Sequence, residues 1–281
     1  TVFSSKEVFM RIYFNPDNIN FQSSTKSQIY VDKTMMLAVL NQFIEKQNKY
    51  ICISRPRRFG KTIAGNMICA YYSRGCDSRE LFAPFQISSD PSFEEKLNQY
   101  NVIKIDVNAE YRNTADREHL IKILSDKIKA EMQIDYPDIT LTESDTLAEA
   151  ILKIYAATGD TFMIIMDEYD VLVREQVPES LFTDYLDFLN GLFKADTLRP
   201  AIALAYLTGI LPVVRDRVQS KLNNFREYTI LDAGELAEFV GFTAEEVETL
   251  SRERGLDFEE FRKWYDGYRQ HNIEIYNPIS T

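Results

Sequence analysis

The sequence predicts an α/β fold in which a mainly parallel, five-stranded sheet is covered by helices on both faces. Three observations lead to this prediction. Apolar runs of strand length recur along the chain, helix-sized segments separate nearly every pair of them, and two of the runs lead into polar residues typical of a ligand site. Strands joined through helices run parallel, with right-handed crossovers. Strands of such a sheet are buried on both faces and are therefore apolar almost throughout.

The predicted strands and helices alternate along the chain. The first strand is expected at Tyr50 and Ile51, and later strands at 101–107, 161–168, 201–206 and 226–231. Helix-compatible segments lie at 63–74, 116–133, 147–157 and 182–193. The segment at 116–133 has apolar residues on one face and lysines on the other, as in a helix that packs on a sheet. This alternation produces a sheet with helices on both faces.

The loop after the first strand carries the clearest motif. Residues 52–62 read C-I-S-R-P-R-R-F-G-K-T, and the last three match the end of the phosphate-loop pattern G-x-x-x-x-G-K-[ST]. In that pattern backbone N–H groups surround the phosphates, the lysine reaches the β/γ oxygens, and the next helix adds partial positive charge. Arg55 stands in place of the first glycine, so the turn entering the loop must differ. The residues expected to bind the nucleotide here are Arg55, Pro56, Arg57, Arg58, Phe59, Gly60, Lys61 and Thr62.

A second motif ends the strand at 161–168, which reads T-F-M-I-I-M-D-E. Open α/β sheets bind ligands at the carboxyl ends of their strands, so Asp167 is expected to hold Mg²⁺ together with the Thr62 hydroxyl. Glu168 is expected to polarise the water that attacks the γ-phosphate. Thr208 ends a neighbouring strand, where it either senses the γ-phosphate through a water or merely terminates the strand.

The loop arginines, Arg55, Arg57 and Arg58, have two alternative roles. A guanidinium group binds phosphate oxygens through paired hydrogen bonds, so an arginine can replace contacts normally made by a glycine-rich backbone. The arginines can equally pair with the carboxylates at 167–170 in the empty state. In that case the loop would stay closed until a nucleotide competes for them.

The composition limits the partners and the compartment. The chain has 281 residues, of which 43 are acidic and 32 basic, and its formal net charge is −11. This charge repels nucleic acid and anionic membrane, so direct nucleic-acid binding by this chain is not expected. Three cysteines and two histidines lie outside metal-ligand spacing, which predicts reduced thiols and no structural zinc. With no bilayer-length apolar run and no signal peptide, a cytoplasmic protein without membrane contact is expected.

Three regions are predicted along the chain: 1–45 as an N-terminal segment and leading helix, 46–232 as the core, and 233–281 as a small helical lid. The leading helix either packs on the sheet, capped by Asp32 or Thr34, or contacts the adenine base. The lid is expected to be purely helical, with helices at 235–239, 243–254 and 257–268 and a capping box formed by Thr243 and Glu246.

Several motifs resemble those of the bacterial and archaeal AAA-ATPase-like proteins that often carry a C-terminal PD-(D/E)XK nuclease-like domain. They are Y-V-D-K-T at 30–34, S-R-P-R-R-F-G-K-T at 54–62, D-E-Y-D at 167–170, L-T-G at 207–209, L-N-N-F at 222–225, and W-Y-D-G-Y and Y-N-P near the end. The resemblance implies a P-loop NTPase core of the ASCE type, with an extra strand between the phosphate-loop strand and the Asp167 strand. In this family R-P-R-R normally replaces the first loop glycine. No nuclease motif is found, so that domain is expected only in a longer, full-length protein.

Three functions follow from these residues and from the resemblance. The first is Mg²⁺-dependent hydrolysis of ATP, for which Glu168 supplies a carboxylate that a pure binder does not need. The second is a nucleotide-dependent switch or scaffold with negligible turnover, which the altered loop entry favours. The third, a component of a defence or mobile-element system acting on nucleic acid, rests on analogy of fold and family. A homo-oligomer would allow Arg215 or Arg217 to act as an arginine finger in a neighbouring subunit.

Overall fold

A parallel sheet of five strands forms the centre of the computed structural model, which describes residues 11–212, 222–229, 232, 234–255, 268–270 and 273–276. The strands are β1 (Tyr50–Ser54), β2 (Asn101–Asp106), β3 (Phe162–Asp167), β4 (Ile202–Gly209) and β5 (Arg226–Tyr228). Their order is β2-β3-β4-β1-β5, and all neighbours are parallel. The predicted sheet is confirmed, and β4 is the extra strand between β1 and β3.

Helices cover both faces of the sheet, as predicted. One face carries α1 (Ile19–Thr25), α2 (Met35–Asn41), α3 (Lys61–Tyr72), α4 (Arg79–Phe82) and α5 (Phe93–Lys96). The other carries α6 (Val107–Asn113), α7 (Leu120–Asp135), α8 (Leu147–Thr158), α9 (Val171–Arg174) and α10 (Glu179–Phe193). Two apolar cores result, because alternate strand residues face opposite sides of the sheet. Across the described residues, no helix combines the length and apolar character needed to span a bilayer.

Helix α3 begins directly after the loop. Gly60 precedes it with φ +77°, a left-handed conformation that glycine adopts without a steric penalty. The helix starts at Lys61, two residues earlier than the predicted start at 63, because the residues of the G-K-T motif already form its first turn. A hydrogen bond from Thr62 to Asp167 brings this turn to the carboxyl end of β3.

Helix α2 begins where the predicted cap residue places it, but the predicted capping hydrogen bond is not formed. Thr34 is the N-cap residue, yet its side chain makes no capping bond to the helix. Its hydroxyl donates instead to Asp32 at 2.7 Å, and the same carboxylate oxygen accepts from the Thr34 N–H at 2.8 Å. Asp32 therefore forms a turn that leads into the helix.

A short N-terminal segment covers the exposed edge of β2. The Asn15 N–H donates to the Val102 carbonyl at 2.8 Å. The Glu131 carboxylate of α7 accepts from three further backbone N–H groups of this segment, those of Ile12, Tyr13 and Phe14. Unpaired strand edges invite association with other chains, so this pairing protects one edge of the sheet.

The region after β5 is only partly helical. A 3-10 helix lies at Gly234–Phe239, and α11 (Ala244–Arg254) begins with the predicted capping box. The prediction of a purely helical lid is wrong, because β6 (Phe242–Thr243), β7 (Tyr268–Gln270) and β8 (Ile273–Tyr276) form an antiparallel sheet in the order β6-β8-β7. Strands this short show no clear alternating pattern. The helix expected at 257–268 lies outside the described residues except for Tyr268, which belongs to β7.

Two side chains join α11 to the N-terminal segment. Lys33 Nζ lies 2.5 and 2.6 Å from the two carboxylate oxygens of Glu246. Arg254 donates to the Gln28 carbonyl at 2.6 Å. The C-terminal region therefore contacts the segment that contains the Y-V-D-K-T motif.

Candidate nucleotide-binding site

The carboxylate of Asp167 lies at the centre of the candidate site, at the end of β3. Thr62 Oγ1, from the first turn of α3, donates to Asp167 Oδ2 at 2.6 Å. Thr208 Oγ1, from β4, donates to Asp167 Oδ1, which also accepts from the Glu168 N–H at 3.0 Å. Asp167 is buried, with 7 % exposure. The predicted residues from the loop helix and from two strands thus meet at one carboxylate.

Lys61 is buried close to this cluster and is held by its own loop. Its Nζ donates to the backbone carbonyls of Arg55 at 2.8 Å and Pro56 at 2.7 Å. Burial lowers the pKa of Lys61, and the negative charges of Asp167 and Glu168 oppose that shift. The ammonium group of Lys61 therefore lies against backbone carbonyl oxygens of the loop and is attracted by the carboxylates of Asp167 and Glu168 at the end of β3.

The loop arginines have different surroundings. Arg57 and Arg58 are exposed, and Arg58 has a left-handed backbone with φ +70°. Arg55 is only 2 % exposed, and its Nε has no hydrogen-bond partner among the residues that the structure describes. Burial lowers its pKa to about 10. Within the described chain, the carboxylates at 168 and 170 pair with an arginine outside the loop, and none of the loop arginines pairs with them. The alternative in which these arginines close the empty loop is not seen.

Glu168 has a strained backbone and one charged partner. Its φ of +50° lies in the left-handed region, which residues other than glycine rarely occupy and which occurs at functional sites. Its Oε2 lies 3.1 Å from a terminal guanidinium nitrogen of Arg174, the last residue of α9. The following residue, Tyr169, donates its N–H to the Thr208 carbonyl at 3.0 Å. Glu168 is therefore held at its side chain, and the turn that carries it is tied to β4.

Asp170 is a buried carboxylate that holds the segment after β4. Its Oδ2 accepts from the N–H groups of Ile210 at 3.1 Å and Leu211 at 2.8 Å and lies 3.0 Å from Arg174 Nε. Its side chain makes no capping bond to α9. Arg174 is not singled out by the motifs, although the four-residue spacing between Asp170 and Arg174 on a helix is the signal that indicates their pairing.

Gly209, in the L-T-G motif, is required by close packing. A Cβ at this position would lie 2.6 Å from Tyr169 Cε1 and 3.0 Å from Asp170 Oδ1. Both neighbours are buried and have little room to move. Gly209→Ala is therefore expected to reduce the free energy of unfolding by about 1–3 kcal/mol, as overpacking does, measured by urea denaturation. The control is Gly191→Ala in α10, whose Cβ would lie at an ordinary 3.8 Å from Ala148; equal losses in both variants would contradict the packing argument.

An apolar cavity of about 400 Å³ lies beside the loop. Its walls include Tyr30 and Val31 of the N-terminal segment, Gly60 and Ile63 around the start of α3, and Phe239 near the C-terminal sheet. The buried loop residue Phe59 also lines it. The Y-V-D-K-T segment therefore does two things: it leads into a helix that packs on the sheet, and it lines a cavity next to the phosphate loop.

Comparisons with distant solved structures give low similarity. Caenorhabditis elegans PCH-2 is 15 % identical with a TM-score of 0.38, over 88 % of this chain and 52 % of that one. The ORC1 protein of Aeropyrum pernix, solved in complex with DNA, is 16 % identical with a TM-score of 0.42, over 86 % and 54 % of the two chains. The ORC2 protein of the same organism is 14 % identical with a TM-score of 0.45, over 85 % and 56 %. Similarity at this level carries no information on what this chain binds.

Sequence comparisons assign the chain to a protein family. An uncharacterized protein in the vnfD 5' region of Azotobacter chroococcum mcd 1 is 26 % identical over 260 residues, which cover 89 % of this chain and 47 % of the relative. The chain thus spans about half the length of that curated relative. A family model described as "Predicted AAA-ATPase" matches residues 20–219, which contain both the phosphate loop and the end of β3. The chain therefore belongs to the AAA-ATPase-like family.

Proposed function

We propose that this P-loop nucleotide-binding protein is a Mg²⁺-dependent ATP hydrolase. The observation that supports the proposal best is the hydrogen-bonded cluster of Thr62, Asp167 and Thr208 at the carboxyl ends of β3 and β4. Hydrolysis of a γ-phosphate requires cations at the phosphates, ligands for Mg²⁺ and a group that orients water. Side chains suited to each task lie at this edge of the sheet.

Phosphate binding is assigned to Lys61 and the loop. Lys61 Nζ bonds neutral carbonyl oxygens of its own loop, and phosphate oxygens are stronger, charged acceptors for the same group. The exposed guanidinium groups of Arg57 and Arg58 have room to make paired hydrogen bonds to phosphate oxygens. The left-handed Gly60 directs the chain into α3, whose unpaired first N–H groups favour an anion.

Thr62 and Asp167 are the residues that fit a Mg²⁺ ion. Mg²⁺ prefers oxygen ligands, and proteins usually bind it through one or two carboxylates together with water and substrate phosphates. A hydroxyl and a carboxylate already face each other here at 2.6 Å. The described residues contain no cluster of three or more metal-binding His, Cys, Asp or Glu side chains. The ion would offset negative charge on the phosphates.

Glu168 is assigned the orientation and activation of the attacking water. Within the described part of the chain, only Oε2 of its carboxylate has a partner, so Oε1 is available to accept a hydrogen bond from water. A positioned carboxylate that accepts a proton in the transition state acts as a general base. Thr208 lies on the adjacent strand, and its hydroxyl oxygen retains the capacity to accept a hydrogen bond from the same water.

The cavity beside Gly60 is assigned to the adenine base. Nucleotide and other small-ligand pockets are mostly apolar, with a few polar groups that fix the orientation of the ligand. Within the described residues, the backbone groups of Tyr30 and Val31 make no hydrogen bond to the chain, so they can bind the edge of a base. The apolar walls of the cavity offer packing against the base faces.

A nucleotide-dependent switch with negligible turnover is the second candidate. The ion pair between Glu168 and Arg174 favours it, because the carboxylate oxygen that contacts Arg174 is not open to an attacking water. The ion pair between Lys33 and Glu246 connects the cavity to the C-terminal region, since Lys33 lines the cavity and Glu246 belongs to α11. Occupancy of the cavity could therefore be transmitted to the C-terminal region.

The regions and partners belong to the same proposal. Residues 46–232 would form the ATPase core, while the described cavity-lining residues of the regions 1–45 and 233–281 would close the cavity from two sides. Homo-oligomerisation, a C-terminal nuclease-like domain in a longer protein, a role in a defence or mobile-element system and a cytoplasmic location stay predictions. The suggested finger residues, Arg215 and Arg217, lie outside the described residues.

Phosphate release from ATP and Mg²⁺, measured together with ATP-induced thermal stabilisation, tests the proposal. The parent protein is expected to release phosphate and to unfold at a higher temperature with ATP, because a ligand that binds only the folded state stabilises it. Lys61→Ala is expected to lose both effects. Lys46→Ala, which removes an exposed lysine outside the site, should match the parent. Stabilisation without turnover in the parent would indicate the switch, and no effect of ATP would contradict nucleotide binding at this site.

A further inference from the structure

Arg174 connects the end of β3 to the segment that follows β4. We propose that Arg174 is a positioning residue that orients the Glu168 carboxylate toward the attacking water; this inference rests on the proposed hydrolase. Arg174 belongs to neither the phosphate-loop motif nor the strand that ends in Asp167. Its side chain is 16 % exposed, and the guanidinium lies 3.1 Å from Glu168 Oε2 and 3.0 Å from Asp170 Oδ2.

The contact between the two side chains involves one carboxylate oxygen only. Arg174 donates through a terminal nitrogen to Oε2 of Glu168, and among the described residues Oε1 has no partner and is left for water. An arginine that bound both oxygens would block the carboxylate, whereas a single bond restricts its rotation and leaves one acceptor exposed. The left-handed backbone of Glu168 fixes the direction in which the side chain leaves the chain. Backbone and guanidinium together thus define where Oε1 lies.

Asp170 keeps the guanidinium in place. Its side chain is 2 % exposed and lies beside Arg174 Nε, while its Oδ2 accepts from the backbone N–H groups of Ile210 and Leu211. Arg174 therefore lies between two carboxylates, one tied to the backbone after β4 and one assigned to water. Because the Arg174 side chain is already ordered by these contacts, no entropy has to be lost to immobilise it during the reaction. Arg174 can thus hold Glu168 in a reactive geometry without touching the substrate itself.

The same contacts couple the reaction to the segment after β4. The residues that Asp170 binds follow Thr208 by only two and three positions. A displacement of this segment would move Asp170, then Arg174, and then the Glu168 carboxylate. A displacement of the segment after β4 should consequently change the rate of ATP turnover without a change in nucleotide affinity.

Steady-state ATP hydrolysis by Arg174→Ala and Arg174→Lys tests the inference. Arg174→Ala is expected to lower kcat by about ten- to a hundredfold, as misplacement of a reactive group does, and to change KM by less than about twofold. Arg174→Lys should recover part of the loss, because lysine restores a positive donor but not the planar group that contacts both carboxylates. Arg112→Ala is the matched control. Arg112 of α6 is exposed and lies 3.9 Å from Glu175, the residue that follows α9, so its removal should leave kcat unchanged.

Four results would overturn the inference. An unchanged or raised kcat in Arg174→Ala would exclude positioning, the raised value indicating that Arg174 restrains Glu168. Parallel loss of kcat and of ATP-induced thermal stabilisation in both variants would contradict a positioning role, because a residue that only orients Glu168 leaves nucleotide binding intact. If Arg174→Lys folds and binds ATP but shows no more turnover than Arg174→Ala, the charge at this position does not act on Glu168. If the parent itself hydrolyses no ATP, the proposed function fails and the inference fails with it, whereas an active parent with an unaffected Arg174→Ala overturns the inference alone.

Discussion

Replacement of Glu168 by glutamine is expected to reduce ATP turnover by at least about 100-fold, which is the lower range of what a general base contributes. Glutamine has the same length and keeps an oxygen that can accept from Arg174, so the shape of the site is retained. It lacks the negative charge and cannot take a proton from water. ATP binding should persist, because Glu168 is not assigned to the phosphates and loss of its charge removes a repulsion from them.

The measurement is phosphate release under saturating ATP and Mg²⁺, with ATP-induced thermal stabilisation recorded on the same samples. Glu175→Gln is the control, since Glu175 is a partly exposed carboxylate seven positions further along, beyond the end of α9, and is assigned no role in the site. Glu175→Gln should behave as the parent. A Glu168→Gln variant that keeps more than about one tenth of parental turnover would remove Glu168 from the mechanism and leave water activation to another group.

The fold could be predicted because buried parallel strands leave a strong signal in the sequence. Every residue of β1, β3 and β4 is buried, so these strands appear as apolar runs. The strand pairing of the N-terminal segment leaves no such signal. It depends on Glu131, a residue more than 100 positions away, whose carboxylate accepts three of the segment's backbone N–H groups. The C-terminal sheet was not predicted for a related reason. A two-residue strand such as β6 is too short to show a pattern of its own and can be recognised only from its pairing with another strand.

The residues that meet at the site could be predicted, but their charge pairing could not. The rule that ligands bind at the carboxyl ends of parallel strands was sufficient to bring Asp167 and Thr62 together. Whether an arginine in place of a loop glycine faces solvent or the interior depends on the exit from β1. Ile51 and Ile53 face the core that also contains α3, and Arg55 continues the same alternation into the interior. That alternation is present in the sequence and favours a buried Arg55. Arg57 has the same parity but follows Pro56, where the chain has already left the strand, and it is exposed.

Arg55→Met is expected to stabilise the nucleotide-free protein and to weaken ATP binding at the same time. A pKa of about 10 leaves the guanidinium charged at neutral pH in the folded protein, as it is in the unfolded chain, so burial of the charge opposes folding throughout the neutral range. Replacement of a buried charge by an apolar side chain of similar volume commonly stabilises proteins by about 1–4 kcal/mol. The same charge belongs to a residue of the phosphate loop. ATP affinity should fall about tenfold, because a cation near bound phosphates contributes on the order of 1–2 kcal/mol.

Urea denaturation of the nucleotide-free protein and titration with ATP measure the two effects separately. Arg57→Met is the matched control for stability alone, because it removes the same charge from the same loop at an exposed position and should change the free energy of unfolding by less than about 0.5 kcal/mol. A less stable Arg55→Met protein would mean that packing of the side chain outweighs the buried charge, and unchanged ATP affinity would separate Arg55 from phosphate binding. Opposite changes in stability and affinity cannot come from loss of packing alone, since that would weaken both. They would show that the buried charge of Arg55 is retained in the loop for an anionic ligand.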